Sequence, residues 1–334
     1  MRKFLLRALA LVVILIGAVY VWNASWRAAP PSDPQVRLIA HRGVHQNFDR
    51  AGIQNDTCTA TRIRAPINPV MENTIESMRL AFEAGADVVE LDVHPTTDGH
   101  FAIFHDWTLD CRTEGTGETR SHDLAYLKTL DIGFGYTADE GKTYPLRGTG
   151  VGLMPSLDEV FTAFPEGRFL INYKSRETRE GDMLAAILAA RPEWRPLVWS
   201  AYGGNEPTER ASALIADLNG TPTRGAKDCL IQYFATGWTG IVPEPCRNTK
   251  VMVPINFAWA LWGWRNLFLE RMRQNGSEVI LLGPYNSGDP GTGGIDDLET
   301  LAEVPPSFDG YIWTNRIELV GPAVRGGNMV ATLR

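Results

Sequence analysis

The sequence predicts a closed (β/α)8 barrel, and three observations predict it. Short β-rich runs alternate with helix-patterned stretches, seven or eight such units follow one another in a continuous body, and no Gly-rich dinucleotide fingerprint follows the first run. The runs are RLIAHRG from Arg37, VVELDV from Val88, RFLINYK from Arg168, LVWSA from Leu197, VMVPINF from Val251, EVILLG from Glu278 and YIWTN from Tyr311. Strands separated by helices pair in parallel, and this many units favour closure over an open doubly wound sheet.

Composition agrees with one large α/β body. Of 334 residues 44% are hydrophobic and 21% charged, enough apolar side chains for a sizeable core and too ordinary a charge fraction for a disordered chain. The formal charge is −7, but residues 1–30 carry Arg2, Lys3, Arg7 and Arg27 with no acid, so the remainder stands at −11. An acidic body argues against sequence-independent nucleic-acid binding, which needs a basic face.

The first element in the chain is not part of the barrel. From Ala8 to Trp22 the sequence is uninterrupted apolar, and Phe4 to Leu6 extend it across Arg7. Such a segment is either a signal peptide or an uncleaved membrane anchor, and no clean small-x-small cleavage site follows Trp22. Basic residues at its front stay cytoplasmic, which places the body on the periplasmic or extracellular side, secreted if the segment is cleaved. Residues 1–34 are therefore read as anchor or signal with a polar, Pro-containing linker, and 35–334 as the barrel domain. Cys58, Cys111, Cys229 and Cys246 then lie in an oxidising compartment. Each sits in a stretch read as a loop, which suggests Cys58 with Cys111 and Cys229 with Cys246, although four cysteines allow three connectivities and a zinc site lacks any CxxC spacing.

The clearest helix begins near Glu72, with Ile75, Met78, Leu80, Ala81 and Phe82 as its apolar stripe and Gly85 at its end. Between His41 and Glu72 an irregular run is too long for an ordinary βα connection and is placed to wall a pocket. A second long segment, from Cys111 to Pro155, holds a short helical stretch near Leu124 to Leu130.

All six histidines fall between His41 and His122. His41 ends the first strand, and His105 ends a short one after a Thr-Asp-Gly turn, so both are expected at the carboxyl ends of strands, where barrels do chemistry. Two imidazoles can serve as base and acid across one phosphorus. Arg42 beside His41 can pair bidentately with phosphate. Strand alternation puts Glu90 and Asp92 on one face, and two carboxylates in one small space are best explained by a divalent cation between them. His94 and His100 read as turn or solvent residues, and His45 and His122 are unconvincing as ligands. Trp107, Trp262 and Trp264 read as core or rim, and Trp313 as the best candidate for a substrate-facing wall.

AHRG followed by MENTIESMRLAFEAGADVVELDVHPTTDGHFAIFHD resembles the glycerophosphodiester phosphodiesterase family, and the likeness continues in PSLDEVF, FLINYKS and GYIWTNR. The resemblance implies a phospholipase-C-like phosphodiesterase barrel that uses Mg²⁺ or Ca²⁺ to release glycerol 3-phosphate and an alcohol. It makes His41 and His105 the acid and base, and Glu90 and Asp92 the metal-binding pair. Arg42 becomes a phosphate contact, Glu72 a polar residue near metal and substrate, and Lys174 the lysine that faces the phosphate. A third metal-binding carboxylate is expected two residues before Lys174, and Asn172 stands there. An amide oxygen still coordinates a hard cation, with lower affinity. Two rivals remain: phospholipase D chemistry on lysophospholipid or sphingolipid headgroups, and a catalytically silent envelope binding protein.

Overall fold

A computed structural model of the chain describes residues 1–54, 56–286 and 293–326. In chain order the elements are α1 (Arg2–Trp22), β1 (Arg37–His41), α2 (Ile75–Glu83), β2 (Val88–Pro95), β3 (Phe101–Ile103), α3 (Leu124–Leu127), α4 (Leu157–Ala163), β4 (Phe169–Tyr173), α5 (Arg179–Ala190), β5 (Val198–Gly203), α6 (Asn205–Leu214), β6 (Thr221–Pro222), α7 (Thr223–Thr236), β7 (Lys250–Pro254), α8 (Asn266–Gln274), β8 (Glu278–Leu282), α9 (Leu298–Ala302), β9 (Tyr311–Thr314) and α10 (Ile317–Arg325). Eight parallel strands run β6-β5-β4-β2-β1-β9-β8-β7, the order of a (β/α)8 barrel. The seam between β6 and β7 is held by a side chain: Thr221 Oγ1 accepts from Lys250 N at 3.0 Å and meets Thr249 Oγ1 at 2.9 Å.

Alternation along the strands separates two cores. Val89, Leu91 and Val93 pack outward with Met78, Ala81 and the helix layer. Ile39, Val88, Leu170, Trp199, Ile280, Tyr311 and Trp313 fill the barrel interior. α2 starts at a capping box in which Thr74 and Ser77 exchange backbone-to-hydroxyl hydrogen bonds at 3.1 Å each. The helix therefore begins three residues after Glu72, leaving Glu72 in the preceding turn rather than on the helix.

The insertion builds a third core. Phe48, Ile53, Ala60 and Ile63 pack with Leu109, Leu127, Leu130 and Tyr136, so residues from both long loops bury each other. The disulfide Cys58–Cys111 ties these loops together, and Cys229–Cys246 is the second bridge. Cys229 differs from the loop reading: it lies on the buried face of α7, whose outward side chains disguise the helix.

α1 has no buried residue and is long and apolar enough to cross a membrane. Its C-terminal end is fastened to the barrel. Asn23 donates to Trp238 O at 2.8 Å and accepts from Arg271 at 2.9 Å, while Ser25 Oγ caps α8 by accepting from Arg265 N and Asn266 N at 3.1 and 3.0 Å.

Candidate active site

Register brings the predicted residues together. β1 pairs with β2 so that His41 lies beside Glu90, and β2 with β4 so that Asp92 lies beside Asn172. β5 then sets Tyr202 beside Asn172. All five occupy the carboxyl ends of barrel strands.

His105 reaches the same place by another route. β3 is no barrel strand: it runs antiparallel to β2, pairing Ile103 with Val93. The chain thus returns towards Asp92, and Phe104 N donates to Asp92 O at 3.1 Å. The hairpin also corrects the reading of His94, which continues β2 and is fully buried instead of facing solvent. Burial, then Lys174 and Arg120, lower its pKa to about 3, so it is neutral. His100 is exposed in the turn.

After His41 the backbone folds back sharply. Arg42 and Gly43 adopt φ of 59° and 74°, and a Cβ on Gly43 would stand 2.7 Å from the Ser77 carbonyl. A non-glycine residue at positive φ is strained, and here it aims the Arg42 guanidinium across the mouth. Arg42 NH1 lies 3.0 Å from Glu72 and its Nε 3.2 Å from Asp92 Oδ2.

Asp92 is surrounded by donors. Asn73 Nδ2 donates to its Oδ2 at 2.9 Å, Asn172 Nδ2 donates to its Oδ1 at 2.8 Å, and Lys174 Nζ stands 3.4 Å from Oδ1. Burial opposes its charge, but Lys174 and Arg42 hold its carboxyl well below the usual range. Asn172 thus turns its nitrogen towards the carboxylate, and a ligand role for its oxygen requires the amide turned over.

Glu90 is the counter-case. It accepts from Arg42 N at 3.2 Å and from the Tyr202 hydroxyl at 2.6 Å, and no arginine or lysine forms an ion pair with it among the described residues. Burial and then the Asp92 charge push its pKa up to about 8. Glu72, although burial opposes it, is drawn down to about 2 by Arg112 and Arg42.

Both histidines are held through Nδ1. His105 Nδ1 donates to Asp106 Oδ1 at 2.7 Å. His41 Nδ1 meets Asn315 Oδ1 at 2.6 Å, and Asn315 Nδ2 donates to Asp296 at 2.8 Å, which fixes the amide and makes Nδ1 the protonated nitrogen. Burial, then Arg42, hold His41 well below its ordinary pKa and lower His105 as well. His41 Nε2 faces Glu90 Oε2 at 3.8 Å. Trp313 packs its ring 4.7 Å from His41 and is buried, a wall for the histidine at least as much as for a substrate.

Sequence reading missed Asn73, Asp106, Arg112, Tyr202 and Asn315. Arg112 is 1% exposed and joins Asp106, Glu72, Thr59 and Tyr136. Asp106 had a signal, since a carboxylate directly after a strand-end histidine is a ready orienting partner; Arg112 lay in a loop with none.

A hard cation can be tested against this donor set. Among the described residues no group of three or more His, Cys, Asp or Glu side chains is arranged to hold one. Yet Glu90 is a buried carboxyl lacking a counter-charge beside a second carboxylate, which is the chemistry that a divalent cation satisfies. Glu72 and Asp92 are each already paired with two cationic side chains, which leaves Glu90 as the carboxyl of this group without one.

Comparison with known proteins bears on the fold and on the family of the central segment. The sequence model of the glycerophosphoryl diester phosphodiesterase family matches residues 41–191. A glycerophosphodiester phosphodiesterase of Caldanaerobacter subterraneus subsp. tengcongensis is 39% identical over 135 residues, covering 40% of this chain and 43% of the relative. One from Bacillus subtilis is 37% identical over 183 residues, covering 52% and 54%. The matched part thus spans about half the length of these curated relatives. The glycerophosphodiester phosphodiesterase structure from Agrobacterium tumefaciens superposes with a TM-score of 0.58 at 22% identity, over 88% of this chain and all (100%) of that one. A glycerophosphoryl diester phosphodiesterase domain from Mycobacterium tuberculosis gives 0.60 at 16% identity, over 87% and 98%. At these identities the structures speak for the fold alone. With the barrel and the AHRG turn in place, residues 41–191 are the part of the chain that matches the glycerophosphoryl diester phosphodiesterase family.

Proposed function

We propose that the chain hydrolyses glycerophosphodiesters to glycerol 3-phosphate and an alcohol, with His41 and His105 transferring the protons. The observation that carries the reading is the pair of imidazoles in one mouth, His41 buried and His105 partly so. Each is fixed by a hydrogen bond at Nδ1 and has Nε2 free for chemistry.

His105 is the better base, because the Asp106 carboxylate stabilises the imidazolium that forms when it takes a proton from water or a neighbouring glycerol hydroxyl. His41 protonates the departing alcohol from Nε2, in the imidazolium form that the negative phosphate beside it favours. Arg42 and Lys174 neutralise and orient the phosphate. A divalent cation, Mg²⁺ or Ca²⁺, held by Glu90 and Asp92, would supply further neutralisation of phosphate charge when bound.

Charge balance supports cation and substrate binding together. Ionised Glu72, Asp92 and Asp106 face Arg42, Arg112 and Lys174, and Glu90 keeps its proton. A phosphodiester anion and a divalent cation arriving together, with loss of that proton, leave the mouth neutral again. A silent binding protein would need neither histidine oriented, so that rival is disfavoured.

We read α1 as a retained single-pass anchor with the barrel outside the cytoplasm. Asn23 and Ser25 are built into the barrel wall, so cleavage just beyond them would remove structural contacts. The test is product analysis on glycerophosphocholine and lysophosphatidylcholine, with chelator and with added Mg²⁺ or Ca²⁺. Glycerol 3-phosphate from the first supports the proposal. Hydrolysis of lysophosphatidylcholine alone would favour the phospholipase D rival, and no product under any metal condition the binding protein.

A further inference from the structure

α7 buries Cys229 and Tyr233 and turns a second apolar face outward. Ile231, Phe234 and Trp238, spaced three and four apart, are 55%, 59% and 46% exposed, and Ile241 beyond them is 63% exposed. Monomeric proteins rarely leave such a contiguous stripe in water. One helical turn before it, Arg224 and Lys227 are exposed on the same side.

The stripe is continuous with the place where α1 leaves the barrel. Trp22 Nε1 donates to Thr239 O at 3.3 Å and Asn23 to Trp238 O at 2.8 Å, so the last turn of the apolar helix is bonded to the residues that carry Trp238. Tyr20, Trp22 and Trp26 are exposed there, a cluster of amphipathic rings suited to a headgroup layer. Cys229–Cys246 and the Arg271 hydrogen bonds to Asn23 and Tyr233 keep α7 and the anchor in one fixed relation.

We propose that Ile231, Phe234, Trp238 and Ile241 form a ledge that dips into the interfacial layer of the bilayer, with Arg224 and Lys227 against anionic lipid headgroups. The barrel is then seated on the membrane in one orientation instead of swinging on its linker. An apolar face flanked by basic residues is the pattern of interfacial binding. This inference rests on α1 being a retained span.

The test uses the full chain in vesicles of phosphatidylcholine and phosphatidylglycerol brominated near the carbonyl end of the acyl chains, comparing wild type with Trp238→Phe. Trp238 is expected to contribute clearly to the quenching, so the variant loses that component while both chains resist alkaline extraction. Amide exchange across 231–241 should slow in vesicles at one copy per vesicle. Equal quenching of the two chains, both resisting extraction, overturns the ledge and leaves the anchor intact. Protection that arises only when copies are crowded overturns it in favour of a second copy of this chain. Release by alkaline wash overturns the anchor and with it the ledge.

Discussion

His105 Nδ1 donates a hydrogen bond to Asp106 Oδ1 at 2.7 Å, and the other oxygen of Asp106 accepts from Arg112 Nε at 2.9 Å. A buried cation thus holds the carboxylate that holds the histidine. His41 has only the neutral amide of Asn315 in the corresponding place. Asp106→Asn keeps the shape but removes the charge that stabilises an imidazolium. Its kcat should fall roughly 10²- to 10⁴-fold with the fold retained. Asn315→Ala should cost less, because no charge is lost. Equal, small losses in both variants, measured as kcat with circular dichroism as control, would contradict the assignment of His105 as base.

Arg112 also governs acid stability. Glu72 has a folded value of about 2 against 4.5 unperturbed. The stabilisation this gives is present above pH 4.5 and is lost as pH falls through about 2. Arg112→Gln removes one of the two guanidinium groups that hold Glu72 ionised. The acid-unfolding midpoint should move to higher pH, and stability at pH 7 should drop by about 3–5 kcal/mol, the cost of breaking a buried pair. An unchanged midpoint by circular dichroism would show that Arg112 has no such role.

The Cys58–Cys111 bridge places Arg112, since Thr59 beside one cysteine bonds Arg112 beside the other at 2.6 Å. Closing a loop with a separation of 53 residues contributes about 4 kcal/mol, against about 3 for the separation of 17 between Cys229 and Cys246. The double variant Cys58→Ser, Cys111→Ser should therefore lose more stability in urea titration. It should also lower kcat, whereas Cys229→Ser, Cys246→Ser should leave kcat nearly unchanged.

The fold and the placement of three candidate residues were legible for the same physical reason. Alternation on a strand places every second side chain in the barrel, and strand ends face the mouth, so His41, Glu90 and Asp92 follow from local pattern, whereas Asn172 came into view only through the family resemblance. Asn73, Tyr202, Asn315 and Arg112 become partners only through register and closure between residues far apart in sequence. His94 was misread because the TTDG turn after it reads as the end of a strand, whereas hairpin pairing with β3 carries β2 on to Pro95. β6 escaped notice because it has two residues and leans on a threonine side chain.

Asn172→Asp tests the cation site without relying on turnover. A second carboxylate beside Asp92, where the amide now donates at 2.8 Å, should lower Tm in chelator by destabilising the mouth about 1–3 kcal/mol. Added Ca²⁺ or Mg²⁺ should raise Tm more in the variant than in wild type, because a cation binds the folded state with one more carboxylate. No cation-dependent shift in either chain, by scanning calorimetry, would argue that Glu90 and Asp92 hold no metal.

The most direct measurement is glycerol 3-phosphate release from glycerophosphocholine by the wild-type chain and by His105→Ala under identical cation conditions. Wild type should release it, and release should fall at least about 10²-fold in the variant while its thermal unfolding is unchanged. Release by His105→Ala at the wild-type rate would contradict the catalytic role of His105.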